Sequence, residues 1–117
     1  MAGTITYLYI IRSGLSNSDP IKIGIADNVE NRLSGMQTGN PRELVVLYKI
    51  PMNSRNHAFM VENRLHRKLS KFNIRGEWFV GRALNKIHIK DLLEKRKHEK
   101  LYHEDDLDMI YEANKYI

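Results

Sequence analysis

Two short strand patterns near the start of the chain constrain its fold most strongly. Residues 4–12 are typical of a buried strand, and residues 20–26 alternate three isoleucines with Lys22 and Gly24. The intervening residues 13–20 are rich in turn formers, which predicts that the two strands pair antiparallel. Because the isoleucines must face the core, Lys22 is expected on the opposite face, beside a glycine that leaves room for another group to approach.

The next segment supplies a helix and a further strand. Asp27, with Glu30 three residues later, has the spacing of a capping box and predicts the start of a helix that Gly39 ends. The β-branched run at residues 43–50 predicts a third strand, which Pro51 should terminate.

Three more helices are expected downstream. The first begins at Asn53 or Ser54, runs for about five turns along an apolar seam and is closed by Asn73 and Gly76. The other two cover residues 82–98 and 104–115. Together the patterns predict an α/β (α+β) fold, with a small, three-stranded, mostly antiparallel sheet flanked by helices.

The composition is typical of a single soluble domain. The chain has no cysteine, which excludes a thiolate nucleophile and cysteine-ligated zinc and fits a reducing compartment. No apolar run approaches the roughly 20 residues of a membrane span, and no secretory signal is visible. We therefore expect an intracellular protein with no membrane partner, composed of a main domain over residues 1–100 and an acidic helical tail over residues 101–117.

Charge is distributed unevenly along the chain. Residues 55–100 carry thirteen Lys or Arg against five Asp or Glu, whereas residues 101–117 carry one Lys against five acids. A basic middle favours a polyanion partner, most commonly nucleic acid, but a solvated helical face explains the charge equally well. The apolar residues of the tail are expected to contact either the main domain or a second subunit, as in a homodimer.

Four motifs follow one another in a defined order. Tyr7-Leu8-Tyr9 lies on the first strand, Lys22-Ile23-Gly24 on the second, Arg32 on the first helix and Glu62 on the second helix. This series resembles the GIY-YIG nucleases, in which the first two motifs are usually Gly-Ile-Tyr and Tyr-Ile-Gly. The segment Gly76-Glu77-Trp78-Phe79 resembles a small branch of that family found in phage, viral and bacterial open reading frames. The resemblance covers residues 5–80 and implies the same α/β fold.

The resemblance implies a metal-dependent endonuclease that hydrolyses phosphodiester bonds in DNA. Tyr9 matches the general base, Arg32 the group that stabilises the phosphoryl oxygens, and Glu62 the ligand of one divalent cation, Mg²⁺ or Mn²⁺. No small-molecule cofactor is implied. Since a free tyrosine has a pKa of about 10, a nearby cation must lower that pKa or the proton must be relayed onward. Lys22 on the adjacent strand is the expected cation.

Other positions receive supporting roles from the resemblance. His66 and Asn73 are expected to assist catalysis, and Tyr7 and Gly24 to support the site. The basic side chains expected to contact DNA phosphates are Arg64, Arg67, Lys68, Lys71 and Arg75. Glu77 is a rival metal ligand, but we expect it to close the core with the two aromatic residues that follow it, since a regular helix positions Glu62 better.

Two departures from the family pattern keep other functions open. Lys22 replaces the usual tyrosine, and Met36 stands where many members carry His or Tyr. Taken singly, Tyr9 also fits a core aromatic, and Arg32 and Glu62 also fit helix residues in surface ion pairs. The alternatives are a catalytically silent DNA-binding module with the same fold and a basic protein-interaction module.

Overall fold

The computed structural model describes residues 4–92 of the chain. These residues form a five-stranded antiparallel sheet with an α-helix on each face. The elements are β1 Thr6–Ser13, β2 Ile21–Ala26, α1 Val29–Gln37, β3 Leu44–Met52, α2 Arg55–Lys68, β4 Asn73–Arg75 and β5 Trp78–Phe79. The strand order is β3-β1-β2-β5-β4. The predicted α+β class and the antiparallel pairing of the first three strands are confirmed, but the predicted count of three omits β4 and β5.

β4 and β5 form a tight hairpin that extends the sheet beyond β2. Gly76 turns the chain between them with a φ of 54°, in the left-handed region that glycine adopts without strain. In β5, Phe79 pairs with Ile21 and Trp78 pairs with Lys22. The hairpin therefore brings the downstream aromatic residues, and Glu77 before them, next to the second strand.

The central strand, β1, is buried on both faces. Leu8 and Ile10 lie in one core layer, with the isoleucines of β2 and the apolar face of α2. Tyr9 and Ile11 lie in the other layer, against Val29 of α1. This is the alternation that the sequence predicts, and it places the phenol of Tyr9 on the α1 side of the sheet.

The cap of α1 lies one residue later than predicted. The Asn28 side chain accepts a hydrogen bond from the backbone N–H of Asn31 at 2.9 Å. Asp27 was the predicted cap, but its carboxylate instead accepts hydrogen bonds from Thr6 at 2.7 Å and from Arg55 at 3.2 Å. Tertiary partners that are distant in sequence thus take Asp27 away from the helix.

The third strand continues through Pro51, which was predicted to end it. Pro51 lies opposite Tyr7 in the ladder between β1 and β3. β3 is an edge strand, the position in a sheet at which proline is tolerated.

Helix α2 begins as predicted but is shorter than predicted. The Ser54 hydroxyl accepts a hydrogen bond from the backbone N–H of His57 at 3.0 Å. The helix ends at Lys68, and a 3₁₀ turn at Ser70–Phe72 follows it. The predicted extension to Asn73 is therefore wrong, because Asn73 already begins β4.

The first part of the segment predicted as a helix over residues 82–98 is not α-helical. Gly81–Lys86 is a 3₁₀ helix, from which Ala83 and Leu84 pack against the core, and the extended Ile87 that follows it is also buried there. Helical hydrogen bonding resumes at residues 89–92. The helix predicted over 104–115 and the tail lie outside the described residues. Within residues 4–92, no helix is long and apolar enough to cross a membrane.

Candidate active site

The register of β1 and β2 places Tyr9 directly opposite Gly24. A Cβ atom at Gly24 would lie 2.5 Å from the Tyr9 hydroxyl oxygen and 2.7 Å from the ring carbon that carries it. The phenol therefore occupies the space that the glycine leaves on β2. The sequence predicted an open space beside Lys22, and the structure identifies the Tyr9 hydroxyl as the group that approaches there.

Glu77 also lies at this point of the sheet. Its backbone carbonyl accepts a hydrogen bond from Ile23 N–H at 3.1 Å, and its Oε1 lies 2.8 Å from the ammonium of Lys22. The same oxygen lies 3.0 Å from the point where a Gly24 Cβ would stand. Glu77 was expected to close the core, and this expectation is wrong. Phe79 is fully buried, whereas the Glu77 side chain is 42% exposed and faces the site.

The turn that carries Glu77 is held by Asn73. The Asn73 amide donates hydrogen bonds to the carbonyls of Gly76 at 2.8 Å and Trp78 at 3.1 Å, the residues on either side of Glu77. The ammonium of Lys22 also lies 5.7 Å from the centroid of the Trp78 ring, within cation–π range. Asn73 therefore acts on the site indirectly, by fixing the backbone from which Glu77 reaches Lys22.

The pKa of Tyr9 depends on its burial and on three charged side chains. The pKa of Tyr9 is raised to about 12: burial is the largest cause, the carboxylates of Glu77 and Glu62 also raise the pKa, and the guanidinium of Arg32 lowers it. Lys22 was predicted to lower this pKa, but its ammonium is paired with Glu77, and Arg32 is the cation that acts on the phenol. Among residues 4–92 the Tyr9 hydroxyl has no hydrogen-bond partner.

Glu62 approaches from α2 and is nearly buried, with 8% of its surface exposed. Burial raises the pKa of its carboxyl, as does the nearby Glu77, while His66, Lys22 and Arg32 oppose the shift. Within the described residues its carboxylate forms no ion pair and accepts no hydrogen bond. An unpaired, nearly buried carboxylate is a suitable ligand for a hard divalent cation, which takes oxygen ligands and retains several waters. No cluster of three or more potential metal ligands occurs in residues 4–92.

His66 and Tyr7 contact residues of the sheet beside the site. The Nε2 of His66 lies 2.9 Å from the carbonyl oxygen of Ile23, and its ring contacts Phe79 with centroids 5.2 Å apart. This arrangement anchors α2 to β2 and engages one of the two ring nitrogens. Tyr7 lies on the same face as Tyr9, and the ammonium of Lys49 lies 4.5 Å from the centroid of its ring.

Residues 6–98 match the sequence profile of the T5orf172 domain. The chain belongs to the T5orf172 domain family. This phage-associated domain is associated with nuclease-like and DNA-binding functions. No curated protein and no solved structure matches the chain.

An open groove of the T5orf172 domain leads away from Arg32 along the start of α1. Its polar lining includes Asn28, Asn31, Arg32 and Arg55. Met36 also lines it, one helical turn after Arg32, so no titratable side chain stands at that position. Sequence reasoning missed Arg55. Its only local signal is its place after the cap of α2, whereas its approach to the groove depends on the pairing with Asp27.

The basic residues predicted to bind DNA do not share one surface of the T5orf172 domain. Arg64 and Lys68 line a small cavity against residues 88–92, on the flank of α2 opposite Glu62. Arg67 faces solvent on the back of the helix. Lys71 lies beside the ring of Phe72, and Arg75 is exposed on the hairpin close to Glu77. Of the five, Arg75 is the residue nearest in sequence to the site.

Proposed function

We propose that this T5orf172 domain is a metal-dependent endonuclease of the GIY-YIG type that hydrolyses phosphodiester bonds in DNA. The observation that supports the proposal is that the charges of Arg32 on α1 and Glu62 on α2 both act on the pKa of the Tyr9 phenol, which lies across Gly24. These are the three residues that the family resemblance selects from the sequence. The association of the domain with nuclease-like and DNA-binding functions supports the substrate class.

Each of the three groups has a distinct task in this mechanism. The exposed guanidinium of Arg32 binds two phosphoryl oxygens and stabilises the charge that grows on them. The Tyr9 hydroxyl faces the attacking water and removes its proton. Because the pKa of Tyr9 is about 12, the phenol stays protonated at neutral pH and must pass a proton on as it receives one.

The carboxylate of Glu62 would hold the divalent cation, Mg²⁺ or Mn²⁺, together with substrate oxygens and waters. When bound, the cation supplies Lewis-acid stabilisation of the phosphoryl oxygens. The residues fit this role, since Glu62 is nearly buried, unpaired within the described chain, and close enough to Glu77 for that carboxylate to raise the pKa of Glu62. A cation held by Glu62 would offset the repulsion that raises this pKa.

The groove beside α1 offers a path for the DNA backbone. A phosphate on Arg32 would place its neighbour toward Asn31 and Arg55, which line the same groove. These contacts would position the strand without reading bases, so the proposed nuclease has weak intrinsic sequence specificity.

The proposal is tested by nicking of supercoiled plasmid with Mg²⁺, with Mn²⁺ and with excess EDTA. We expect cleavage that requires the cation and is lost in Tyr9→Phe. Glu62→Gln should lose most of its activity and recover part of it when the metal concentration is raised. Full activity in EDTA, or in Tyr9→Phe, would refute this mechanism.

A catalytically silent DNA-binding module is the second candidate. The raised pKa of Tyr9, the engagement of Lys22 by Glu77 and the methionine at position 36 favour it. It predicts retention on DNA at low salt without nicking under any metal condition. A chain that fails to bind DNA at low salt would instead support the protein-interaction module.

A further inference from the structure

Glu77 is a site carboxylate to which the proposed reaction assigns no task. Lys22 engages its Oε1 at 2.8 Å, the paired turn of β4 and β5 carries it, and two hydrogen bonds from Asn73 bracket it. It is 42% exposed, so solvent reaches its carboxylate. A carboxylate held this firmly beside a buried phenol is in a position to act on that phenol.

The distance between Glu77 and Tyr9 suits a single bridging water. The Tyr9 hydroxyl oxygen lies 2.5 Å, and Glu77 Oε1 lies 3.0 Å, from the point where a Gly24 Cβ would stand. The two oxygens are therefore no farther apart than the sum of these two distances. One water that donates to Glu77 and accepts from Tyr9 spans such a gap. The hydroxyl has no other hydrogen-bond partner in residues 4–92, which leaves its proton free for that water.

We propose that Glu77 is the final proton acceptor of the reaction, reached from Tyr9 through one bridging water, and that Lys22 is the residue that positions it. The inference rests on the proposed function. As the nucleophilic water attacks phosphorus, its proton passes to the Tyr9 oxygen. The Tyr9 proton passes to the bridging water, and a proton of that water passes to Glu77. The bond between phosphorus and the leaving oxygen of the DNA then breaks, and the leaving oxygen takes a proton from solvent water. The hydroxide left in the solvent takes the proton from Glu77, which returns the enzyme to its starting state.

The relay predicts a pH profile that differs from that of a tyrosine acting alone. A phenolate base whose pKa is about 12 makes the rate rise tenfold per pH unit across the neutral range. In the relay the phenol gives up its own proton as it receives one, so no phenolate has to form beforehand and the rate lacks that tenfold rise. This difference separates the two proton acceptors without altering the site.

The experiment measures nicking rates of the full chain with Mg²⁺ against pH, for wild type, Glu77→Gln, Glu77→Ala and Glu30→Gln. Glu30→Gln is the matched control, because Glu30 is also a solvent-accessible glutamate paired with a lysine, Lys49, but it lies on α1 and is not among the charges that shift the pKa of Tyr9. Thermal unfolding of each variant confirms the fold. We expect a flat wild-type profile and a loss of about 100-fold in Glu77→Gln, with a rate that now rises with pH. Glu30→Gln should match wild type.

Chemical rescue distinguishes a proton acceptor from a structural residue. Formate should restore about tenfold activity to Glu77→Ala, which has room for it, but not to Glu77→Gln, whose amide fills the space. A normal rate in Glu77→Gln, no rescue by formate, or full rescue of Glu77→Gln by extra Mg²⁺ overturns the relay alone. A wild-type chain that nicks no plasmid overturns the proposed function and the relay with it.

Discussion

Gly24→Ala tests the geometry of the site directly, because the strand itself does not require glycine at this position. Its φ lies outside the left-handed region, so an alanine meets no backbone strain. The new methyl carbon would lie 2.5 Å from the Tyr9 hydroxyl oxygen and 2.7 Å from the adjacent ring carbon. Neither atom yields easily, since Tyr9 is 1% exposed and is held between β1 and α1.

The size of the effect follows from two opposing contributions. Overpacking of a well-packed core costs about 1–3 kcal/mol. Replacing glycine by alanine where the backbone permits it gains about 0.4–1 kcal/mol by restricting the unfolded chain. The free energy of unfolding should therefore fall by about 1–2 kcal/mol, which changes the folded-to-unfolded ratio by about 5- to 30-fold. Nicking should be lost as well, since Tyr9 must move.

Urea denaturation measures this loss, and the chain contains a matched control. Gly35 lies within α1, and a Cβ built there meets no atom within 4 Å, so Gly35→Ala should stabilise the protein by about 0.5–1 kcal/mol. The double variant with Tyr9→Phe removes the 2.5 Å contact but keeps the 2.7 Å one. Its unfolding free energy should therefore exceed the value expected from adding the two single losses. Wild-type stability of Gly24→Ala, or strict additivity with Tyr9→Phe, would show that the ring does not lie across Gly24.

The remaining predictions concern the hydroxyl, the carboxylate and the groove. Tyr9→Phe should abolish nicking while a filter-binding assay finds unchanged affinity for DNA, because only one hydroxyl is lost. Burial raises the pKa of the Glu62 carboxyl in the folded protein. The stability that Glu62 contributes is therefore complete below its unfolded pKa of about 4.3 and is lost as the pH rises through its pKa in the folded protein. Glu62→Gln should therefore unfold at a higher urea concentration than wild type at pH 7 but not at pH 4. If Glu62→Gln and wild type were equally stable at both pH values, this reasoning would be wrong. Mg²⁺ should raise the melting temperature of wild type but not that of Glu62→Gln. Arg55→Gln should reduce the logarithmic salt slope of DNA binding by about 0.9, whereas Arg67→Gln, on the back of the same helix, should leave it unchanged, and the reverse result would place the DNA on the other surface.

Local patterns predicted the parts of the fold that depend on periodicity. The alternation in residues 4–12 and 20–26 placed Tyr9 and Lys22 on one face, because side chains in a strand change face at every residue. The cap at Ser54 and the start of α2 follow from hydrogen bonds that close within three residues. In these cases the groups that decide the structure are neighbours in sequence.

The missed features depend on contacts between distant segments. The hairpin of β4 and β5 pairs only two residues with β2, too few to produce a recognisable strand pattern. The carboxylate of Glu77 reaches Lys22, which lies far from it in sequence, and Arg55 reaches Asp27 across the gap between α1 and α2. Neither pairing produces a periodic pattern in the sequence.

The lysine at position 22 and the glutamate at position 77 are best understood as one feature. An ammonium with 16% of its side chain exposed requires a counter-charge, because burying an unpaired charge is costly. Glu77 supplies that charge from the β4–β5 turn, which Asn73 holds in shape. A neutral side chain at position 22 would need no such partner. Lys22 therefore brings a second carboxylate beside Tyr9, and the effect of that carboxylate is expected on the proton of Tyr9.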